Sequence, residues 1–247
     1  MSTPVVLITG ALTGIGRAAA LAFAISATVL VSGRREAEGK ALESKLRGLG
    51  AEAAFILADV RHEDHVRSLV DQTVARFGRL DVAVNNAGTE GKPGPLTEQT
   101  PDSYAGMFDT NVLGTLLSLK HELRVMQPQR SGSIINISST MGQRGAANLA
   151  LYTASKHAVE GLTKSTALEA APFGVRVNAV APGPTDTAML DRLTGTPDKK
   201  AAFYDSVPLK RGAKPEEIAD AVVFLASDKA SFITGQIIRV NGGKTAP

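Results

Sequence analysis

The sequence predicts a doubly wound α/β fold, in which helices cover both faces of one parallel sheet of about seven strands. Short apolar runs rich in β-branched residues alternate with helix-length amphipathic stretches along the 247 residues. The short runs are continuously apolar, which is typical of strands that are buried on both faces. Right-handed crossovers between such strands place the helices on both sides of the sheet.

Two sets of segments make up this pattern. The predicted strands occupy residues 5–8, 28–31, 53–57, 80–84, 133–137, 175–180 and 236–240. The predicted helices include residues 36–49, 62–77, 101–126, 151–172 and 215–227, which are rich in Ala, Leu, Glu, Lys and Arg. We interpret residues 1–247 as a single domain, because no linker, repeat or low-complexity tract divides the sequence.

One long excursion interrupts the alternation of strands and helices. Roughly residues 183–210 contain Pro184, Gly195 and Pro197 together with apolar residues such as Met189. Apolar side chains within a long loop are typical of segments that cover a binding site. We therefore expect residues 183–210 to form a mobile substrate lid.

Composition and charge exclude several classes of function. The 27 basic and 24 acidic residues nearly balance, which argues against nucleic acid as the main partner. The lack of cysteine excludes disulfides, a thiolate nucleophile and a cysteine-ligated metal site. No apolar run approaches the ~20 residues of a membrane span and no signal-like stretch opens the sequence, so we expect a soluble cytoplasmic protein.

The histidines give no indication of a metal site. All four fall on predicted helices, without a second histidine or a carboxylate at a spacing that metal ligands would need. We interpret them as surface residues and predict no metal. They are His62, His65, His121 and His157.

Three glycines follow the first predicted strand. Gly10, Gly14 and Gly16 come directly after it and open a helix predicted to begin near Ile15. Small residues let the backbone turn tightly and let a dinucleotide pyrophosphate approach the N–H groups of a helix N-terminus. The spacing differs from the common G-x-G-x-x-G pattern, so the turn alone is a weak indication of dinucleotide binding.

The end of the second predicted strand bears on the choice of nicotinamide cofactor. An acidic residue there would bind the ribose hydroxyls of NAD, but the sequence has Ser32-Gly33-Arg34-Arg35. Gly33 is expected to leave space, and the Arg34 guanidinium would pair with a 2′-phosphate through parallel hydrogen bonds. The pattern favours NADP(H), and NAD(H) stays open because Glu36 follows directly.

Tyr152 and Lys156 are the candidate reacting residues. They are four residues apart in a stretch typical of helices, so their side chains share one face. A free tyrosine has a pKa near 10, and a neighbouring ammonium is expected to lower it, which would make Tyr152 a general acid/base. Ser139 follows the predicted strand 133–137, at the sheet edge where doubly wound proteins bind ligands. Ser138 is the alternative.

Together these motifs resemble those of the short-chain dehydrogenase/reductase family over essentially residues 4 to 243. The turn Thr9-Gly10-Ala11-Leu12-Thr13-Gly14-Ile15-Gly16 is similar to that family's cofactor turn, although Leu12 replaces a frequent serine and Thr13 a residue that is often basic in NADP-preferring relatives. Further matches follow in the family's order: Asp59-Val60, Asn85-Asn86-Ala87-Gly88, Asn111, Ser139, Tyr152-x-x-x-Lys156 and Pro182-Gly183. The resemblance implies a Rossmann-type fold and a homotetramer assembled through residues 101–126, residues 151–172 and the last strand.

The resemblance also implies roles for single residues. Ser139 would hold the substrate oxygen, Tyr152 would transfer the proton, and Lys156 would hold the nicotinamide ribose. Asn111 would connect Lys156 to solvent through water, and the interval between Ser139 and Tyr152 favours Ser139 over Ser138. Asp59 would bond the adenine amino group. The implied cofactor contacts are Gly10, Leu12, Thr13, Gly14, Ile15, Gly16, Arg34, Asp59, Val60, Asn86, Gly88, Tyr152, Lys156, Pro182, Gly183 and Thr187.

Several functions fit these motifs, and the leading one is reversible hydride transfer between NADP(H) and a carbonyl/secondary alcohol substrate. Alternatives are 3-oxoacyl-carrier-protein reduction and an NAD-preferring alcohol or diol dehydrogenase. Arg130 matches a basic residue of the carrier-protein branch, but Phe173 replaces the second one. An epimerase or dehydratase with retained NAD generally needs a larger carboxyl-terminal domain, and a non-catalytic nucleotide-binding regulator would not need the four reacting residues.

The sequence leaves the small-molecule substrate unnamed. We expect a mixed pocket wall that carries no single charge to identify an acid or a phosphate. Arg144 is interpreted as an exposed residue more than as a partner for a substrate anion. The expected wall consists of Thr89, Glu90, Met141, Gln143, Arg144, Asn148, Leu149, Met189, Leu190 and Phe203.

Overall fold

Seven strands form one parallel sheet in the computed structural model of the chain, which describes residues 3–246. The strands are β1 (Val5–Thr9), β2 (Thr28–Gly33), β3 (Ala53–Leu57), β4 (Val82–Asn85), β5 (Gly132–Ile137), β6 (Val175–Pro182) and β7 (Ile237–Val240). Their order is β3-β2-β1-β4-β5-β6-β7, so the direction of winding reverses between β1 and β4. The predicted doubly wound fold is confirmed; residues 1, 2 and 247 of the predicted domain lie outside the described residues.

Helices alternate with the strands and form a layer on each face of the sheet. They are α1 (Gly14–Phe23), α2 (Glu36–Gly48), α3 (Glu63–Phe77), α4 (Pro101–Phe108), α5 (Gly114–Gln129), α6 (Ala150–Ala170), α7 (Ala188–Thr194), α8 (Pro197–Asp205) and α9 (Pro215–Ala226). On one face α1, α2 and α9 pack through residues such as Leu46 and Leu225. On the other face α3, α5 and α6 pack through residues such as Leu69 and Met126. Single 3-10 turns span Leu96–Glu98, Thr140–Gly142, Ala171–Phe173 and Asp228–Ala230.

Strand β1 shows why the strands are apolar along their whole length. Successive side chains of a strand point to opposite faces of the sheet. Val6 and Ile8 belong to the core beneath α1, whereas Val5 and Leu7 belong to the core on the other face. All four are at most 3% exposed. A sheet covered on both sides therefore needs apolar residues at consecutive positions, as in β1.

The predicted helix 101–126 is interrupted in the structure. A π-helical turn spans Asp109–Leu113 between α4 and α5. Such a turn inserts one residue into the helix, and the hydrophobic pattern does not mark it. Helix α5 also runs beyond the predicted end, because the fixed φ of Pro128 is compatible with a last helical turn. The helix ends at Arg130, whose φ is +54°.

The excursion 183–210 is more regular than the sequence predicts. It contains α7 and α8, which begin after the threonine N-caps Thr187 and Thr196. Gly195 ends α7 with a φ of +70°. Pro197 is the first residue of α8, where the missing N–H of proline costs no intrahelical hydrogen bond. We refer to residues 183–210 below as the lid; both the mobility of this segment and its role in covering a substrate stay predictions.

One predicted surface residue is buried. His121 is 4% exposed, because it lies on the face of α5 that packs against α3, and its Nε2 lies 3.2 Å from the Glu63 carboxylate. The other three histidines are exposed, as predicted. Among residues 3–246, no three His, Asp or Glu side chains are grouped as metal ligands would be. Within the same residues, no helix is both long and apolar enough to cross a membrane.

Candidate active site

The carboxyl ends of the strands border one large cavity. It has a volume of about 610 Å³ and extends from the turn after β1 to the start of α6 and to the lid helices. Parallel sheets bind ligands at this edge, at the point where the strand order reverses. Of the predicted site residues, Gly16 and Asn111 lie behind the wall. The others line it: Gly10, Leu12, Thr13, Gly14, Ile15, Arg34, Asp59, Val60, Asn86, Gly88, Ser139, Tyr152, Lys156, Pro182, Gly183 and Thr187.

The turn after β1 requires glycine for two separate reasons. Gly10 and Gly14 have φ values of +62° and +53°, a region that favours residues without a Cβ atom. A Cβ on Gly10 would also lie 2.7 Å from the Cα atom of Ala87, and a Cβ on Gly16 would overlap the Asn86 amide nitrogen. The glycines are thus needed because the loop after β4 approaches this turn closely.

Asn86 and Thr9 join the turn to the loop after β4. The Asn86 side-chain amide donates to the carbonyl oxygens of Thr9 at 3.2 Å and of Gly10 at 2.8 Å. The Thr9 hydroxyl oxygen accepts from the backbone N–H groups of Asn86 and Ala87, both at 3.2 Å. Thr9 is not among the predicted site residues, although a hydroxyl at the end of an apolar strand is a signal for such a role.

The N-terminus of α1 is suited to an anion. The first N–H groups of a helix have no intrahelical acceptor, and they carry the positive end of the helix dipole. Thr13 precedes α1, and its side chain makes no capping hydrogen bond to the described helix. Leu12 and Ile15 line the cavity on either side of it. Because a pyrophosphate would satisfy these N–H groups, the turn fits a dinucleotide.

The part of the cavity beyond β2 differs from the prediction. The space expected beside Gly33 is filled, since a Cβ there would lie 2.7 Å from Cδ1 of Leu12. Arg34 is exposed and lines the cavity. Both carboxylate oxygens of Asp59 accept from Arg61, at 3.0 Å from Nε and 2.6 Å from Nη2. Arg61 therefore holds the pKa of Asp59 below its ordinary value, although burial opposes this. Arg61 is not among the predicted residues.

Tyr152 and Lys156 lie on one face of α6, as their spacing predicts. Burial raises the pKa of Tyr152 above its ordinary value and lowers the pKa of Lys156 to about 8. The net shift of the Tyr152 pKa is therefore upward, opposite to the direction expected from the neighbouring ammonium alone. A hydrogen bond with Ser139 lowers the pKa of Tyr152 by less than burial raises it, and the negative charge of Glu90 raises it further.

Ser139 lies beside Tyr152, whereas Ser138 is engaged elsewhere. Ser139 has an extended backbone, and its hydroxyl oxygen accepts from the N–H of Met141 at 3.2 Å, which caps the turn Thr140–Gly142. Ser138 is 3% exposed, and its hydroxyl donates to the Glu160 carboxylate at 2.9 Å. Both serines line the cavity, and the choice of Ser139 over Ser138 stays a prediction, which the engagement of Ser138 with Glu160 supports.

Asn111 lies in the π-helical turn and is 1% exposed. Its Oδ1 accepts from the Thr89 N–H at 2.8 Å, and its Nδ2 donates to the Thr89 carbonyl at 2.9 Å and to the Ser155 hydroxyl at 3.1 Å. These bonds hold the loop after β4 against α6. The connection from Asn111 to Lys156 through water stays a prediction.

The beginning of the lid meets the glycine turn. The Gly183 N–H donates to the Val240 carbonyl at 2.9 Å, and a Cβ on Gly183 would lie 2.8 Å from Cα of Asn241. Thr187 approaches the turn, since a Cβ on Gly14 would lie 3.1 Å from its methyl group. The end of β6 therefore directs the lid across the cavity from the side of β7.

The substrate end of the cavity has a mixed wall, with differences from the prediction. Predicted residues that line it are Thr89, Glu90, Met141, Leu149, Met189, Leu190 and Phe203. Gln143, Arg144 and Asn148 lie outside this wall and are exposed on the segment between β5 and α6, so their place in the predicted wall is wrong, whereas the interpretation of Arg144 as an exposed residue is confirmed. Additional lining residues are Arg192, Leu193 and Lys244.

An ion pair connects the lid to the loop after β4. Arg192 on α7 donates from Nε to Glu90 Oε1 at 2.6 Å and from Nη2 to Oε2 at 3.2 Å. The Glu90 side chain is 9% exposed and that of Arg192 is 63% exposed. The lid is thereby tied to the same loop that places Glu90 near Tyr152.

Comparison with known proteins identifies the family. A family model described as enoyl-(acyl carrier protein) reductase matches residues 10–245. Cis-4-hydroxycyclohexanecarboxylate dehydrogenase from Sinomonas cyclohexanicum is 41% identical over 242 residues, which cover 98% of this chain and 96% of that protein. The chain belongs to the short-chain dehydrogenase/reductase family.

Solved structures of similar chains share the whole fold. Levodione reductase superposes with a TM-score of 0.96 at 35% identity, over 100% of this chain and 99% of that one. ElxO with NADP bound superposes with a TM-score of 0.92 at 35% identity, over 100% of both chains. This member of the short-chain dehydrogenase/reductase family is therefore an oxidoreductase for alcohol or ketone substrates, and the family uses NAD(P)(H).

Proposed function

We propose that the chain transfers a hydride between NADP(H) and a small carbonyl/secondary alcohol substrate, with Tyr152 as the general acid/base. The observation that supports this most directly is the pairing of Tyr152 with Ser139 on the wall of a cavity that continues to the glycine turn. Proton transfer and dinucleotide binding would thus share one space of about 610 Å³, which lies within the usual range of small-molecule and cofactor sites.

Tyr152, Ser139 and Lys156 have separate roles in the proposed proton transfer. In reduction, Tyr152 gives its phenolic proton to the carbonyl oxygen, and the Ser139 hydroxyl holds that oxygen. Burial keeps the phenol protonated at neutral pH, which is the form needed to donate. With a pKa of about 8, Lys156 is mostly charged at neutral pH, and its ammonium stabilises the phenolate that remains. The nicotinamide supplies the hydride when the cofactor is bound.

The proposed cofactor contacts follow the cavity wall. The N–H groups at the start of α1 would hold the pyrophosphate, and Lys156 would hold the nicotinamide ribose. Val60, Asn86, Gly88, Pro182, Gly183 and Thr187 would complete the dinucleotide site. Asp59 would accept from the adenine amino group while it stays paired with Arg61.

Arg34 supports NADP(H) as the cofactor. Its exposed guanidinium lines the cavity where a 2′-phosphate would lie, and no acidic residue ends β2. ElxO, which is similar over the full chain, has NADP bound. NAD(H) is the second candidate, since Leu12 fills the space beside Gly33 that a phosphate would share.

The names of similar proteins support a cyclic ketone or alcohol as the substrate. Cis-4-hydroxycyclohexanecarboxylate dehydrogenase is named for an alcohol on a six-membered ring, and levodione reductase is named for the reduction of a dione. A carrier-protein substrate is less well supported, because Arg130 donates to the Pro172 carbonyl at 3.2 Å and Phe173 beside it is 37% exposed. The apolar ring of Phe173 cannot form an ion pair with an acidic carrier protein.

The direct test follows NADPH absorbance with a panel of cyclic and open-chain ketones, and NADP⁺ reduction with the matching alcohols. We expect turnover of at least one cyclic ketone. Tyr152→Phe should abolish it, while NADPH fluorescence still reports binding close to that of the unmodified protein. Retained turnover in Tyr152→Phe contradicts the assignment, and tight binding without any turnover would favour a non-catalytic regulator.

We further propose a soluble cytoplasmic homotetramer with residues 183–210 as the lid of a single domain. Exposed apolar residues on the helices predicted to assemble support the tetramer; Tyr104, Leu116 and Leu168 are 51%, 42% and 79% exposed. Such residues would be buried in a subunit interface. Light scattering should give four times the chain mass at micromolar concentration, and a monomer would contradict this.

A further inference from the structure

An ion pair between the buried Glu160 and the partly buried Arg239 lies beneath the turn that carries Ser139. Glu160 on α6 is 4% exposed, and both of its carboxylate oxygens accept from Arg239 on β7. Nη1 of Arg239 lies 2.6 Å from Oε1, and Nη2 lies 2.9 Å from Oε2. This two-point geometry fixes the orientation of both side chains, and charges buried in this way are screened little by salt.

The pair holds the turn at further points on both sides of Ser139. The Ser138 hydroxyl donates to Glu160 Oε1 at 2.9 Å, and Nη1 of Arg239 donates to the Ser139 carbonyl oxygen at 3.4 Å. Gly142 at the end of the turn packs on the same carboxylate so closely that any Cβ there would overlap Glu160 Oε1. Ser138 and Gly142, which lie on either side of Ser139 in the chain, therefore both contact the Glu160 carboxylate.

Glu160 also shares a helix face with the reacting residues. Tyr152, Lys156 and Glu160 follow one another at intervals of four along α6, which places them in one row. Helix α6 thus carries both the proposed acid/base, Tyr152, and, two turns later, the Glu160 carboxylate, which contacts the turn around Ser139. A displacement of this carboxylate would change the geometry between Ser139 and Tyr152.

Stability alone is a weak reason for such a pair. Removing a carboxylate such as Glu160 from water costs several kcal/mol, and apolar residues of similar volume are often equally good or better than a buried ion pair for stability. We infer that Glu160 and Arg239 are positioning residues, which fix the turn so that the Ser139 hydroxyl stays beside Tyr152 on the cavity wall. The inference rests on the proposed function and adds two residues that lie outside the cavity wall.

The test is a double-mutant cycle between Glu160→Gln and Ser139→Ala, measured in NADPH-dependent ketone reduction. Glutamine keeps the size of Glu160 and removes the charge that binds Arg239 at two points. We expect Glu160→Gln alone to lower kcat about tenfold and to leave the KM for NADPH unchanged. Once Ser139 is alanine, Glu160→Gln should have no further effect, because it acts through that serine. Additive losses in the cycle would overturn the inference.

Asp81→Asn is the matched control for general destabilisation. Asp81 pairs with Arg79 at 2.6 Å on the opposite edge of the sheet, far from the cavity. Its loss should lower the Tm as Glu160→Gln does, leave kcat within twofold, and combine additively with Ser139→Ala. A fall in kcat as large as that of Glu160→Gln would show that kcat reports stability alone, and would overturn the inference.

A measurement without substrate separates this inference from the proposed function. Tyrosinate absorbance, compared between each protein and its Tyr152→Phe form, reports the ionisation of Tyr152. Because Ser139 beside Tyr152 lowers that pKa, displacing Ser139 through Glu160→Gln should raise it, while the charged neighbours Glu90 and Lys156 are unchanged. An unchanged midpoint overturns the inference. A raised midpoint without turnover of any ketone supports it and contradicts the proposed function alone.

Discussion

Lys156 Nζ lies 5.7 Å from the centroid of the Tyr152 ring and donates to the Ile137 carbonyl oxygen at 2.9 Å. Among the described residues, no carboxylate pairs with this ammonium. Burial therefore acts on the lysine without compensation and lowers its pKa to about 8. The same burial raises the pKa of the tyrosine. Both shifts favour the uncharged forms of the two groups.

Lys156→Met should make the protein more stable at neutral pH. Lys156 has a pKa of about 8 when folded and about 10.5 when unfolded, so below pH 8 both states are charged and the folded state bears the full cost of burial. That cost, on the order of 3 kcal/mol, disappears as the pH rises from 8 to 10.5. Urea unfolding should therefore show a large gain for the variant at pH 7 and a small one above pH 10.

Lys164→Met is the matched control, because Lys164 is exposed on the same helix. It should change the free energy of unfolding little and equally at both pH values. A gain in Lys156→Met that does not depend on pH would show that packing, not charge, is responsible.

Glu122→Gln should stabilise the protein above pH 8. Glu122 is 1% exposed, and burial raises its pKa from 4.5 to about 8, although the Asn85 amide donates to it at 3.0 Å. Because its pKa is raised, Glu122 contributes to the free energy of unfolding fully below pH 4.5. This contribution decreases as the pH rises and is lost once the pH passes 8. The loss is on the order of 5 kcal/mol. Denaturant unfolding at pH 5 and pH 9 should show the variant's advantage at pH 9.

The Asn85 side chain supplies an additional reason for this expectation. Its Oδ1 is buried and has no hydrogen-bond partner among the described residues. The glutamine amide would offer a donor that the ionised carboxylate lacks. Glu169→Gln, on the exposed side of α6, is the control and should have no such pH dependence. Equal stability of Glu122→Gln and the unmodified protein at pH 9 would refute the prediction.

Gly16→Ala should weaken cofactor binding. A Cβ at this position overlaps the Asn86 amide nitrogen and lies 2.6 Å from the Gly10 carbonyl oxygen. The bond between Asn86 and Gly10 must then break, and the turn must open. We expect the Kd for NADPH, measured by its fluorescence, to rise at least about tenfold, which is about 1.4 kcal/mol.

Gly106→Ala is the control for this substitution. Gly106 lies inside α4, and a Cβ there meets no atom within 4 Å. Alanine should therefore stabilise the protein by about 0.5–1 kcal/mol through its better helix propensity. Cofactor affinity should not change. Equal effects of the two variants on the Kd would contradict the role of the glycine turn.

Arg34→Gln should reduce the preference for NADPH. A charge-assisted pair with a 2′-phosphate contributes about 1.5–3 kcal/mol, so kcat/KM for NADPH should fall at least about tenfold. The value for NADH should stay within twofold. Arg35→Gln is the control, since Arg35 pairs with Glu38 at 3.3 Å. A clear preference of the unmodified protein for NADH would disprove the assignment of NADP(H).

Local patterns in the sequence predict the fold and the residues on the cavity wall. Residues 5–8 are apolar at consecutive positions because both faces of β1 are covered, and this signal is contained in four residues. Tyr152 and Lys156 belong to one helix, so their spacing alone places them together. Ser139 is predictable because the end of an apolar strand marks the edge of the sheet.

The unpredicted features depend on contacts between distant parts of the chain. Glu160 and Arg239 are 79 positions apart, and Glu90 and Arg192 are 102 positions apart. Charged residues on helices usually face solvent, so nothing local distinguishes Glu160 from an exposed glutamate. His121 is missed for the same reason. The rise of the Tyr152 pKa is missed because burial depends on the complete wall of the cavity.

Thr9 and Asn86 have a consequence for the thermodynamics of cofactor binding. Their hydrogen bonds connect protein atoms to each other, so the glycine turn takes its shape when the sheet folds. The conformational entropy of ordering this turn is therefore lost during folding and not again on association. A preorganised turn of this kind should bind its dinucleotide with little structural adjustment, and most of the interaction energy should remain available as affinity.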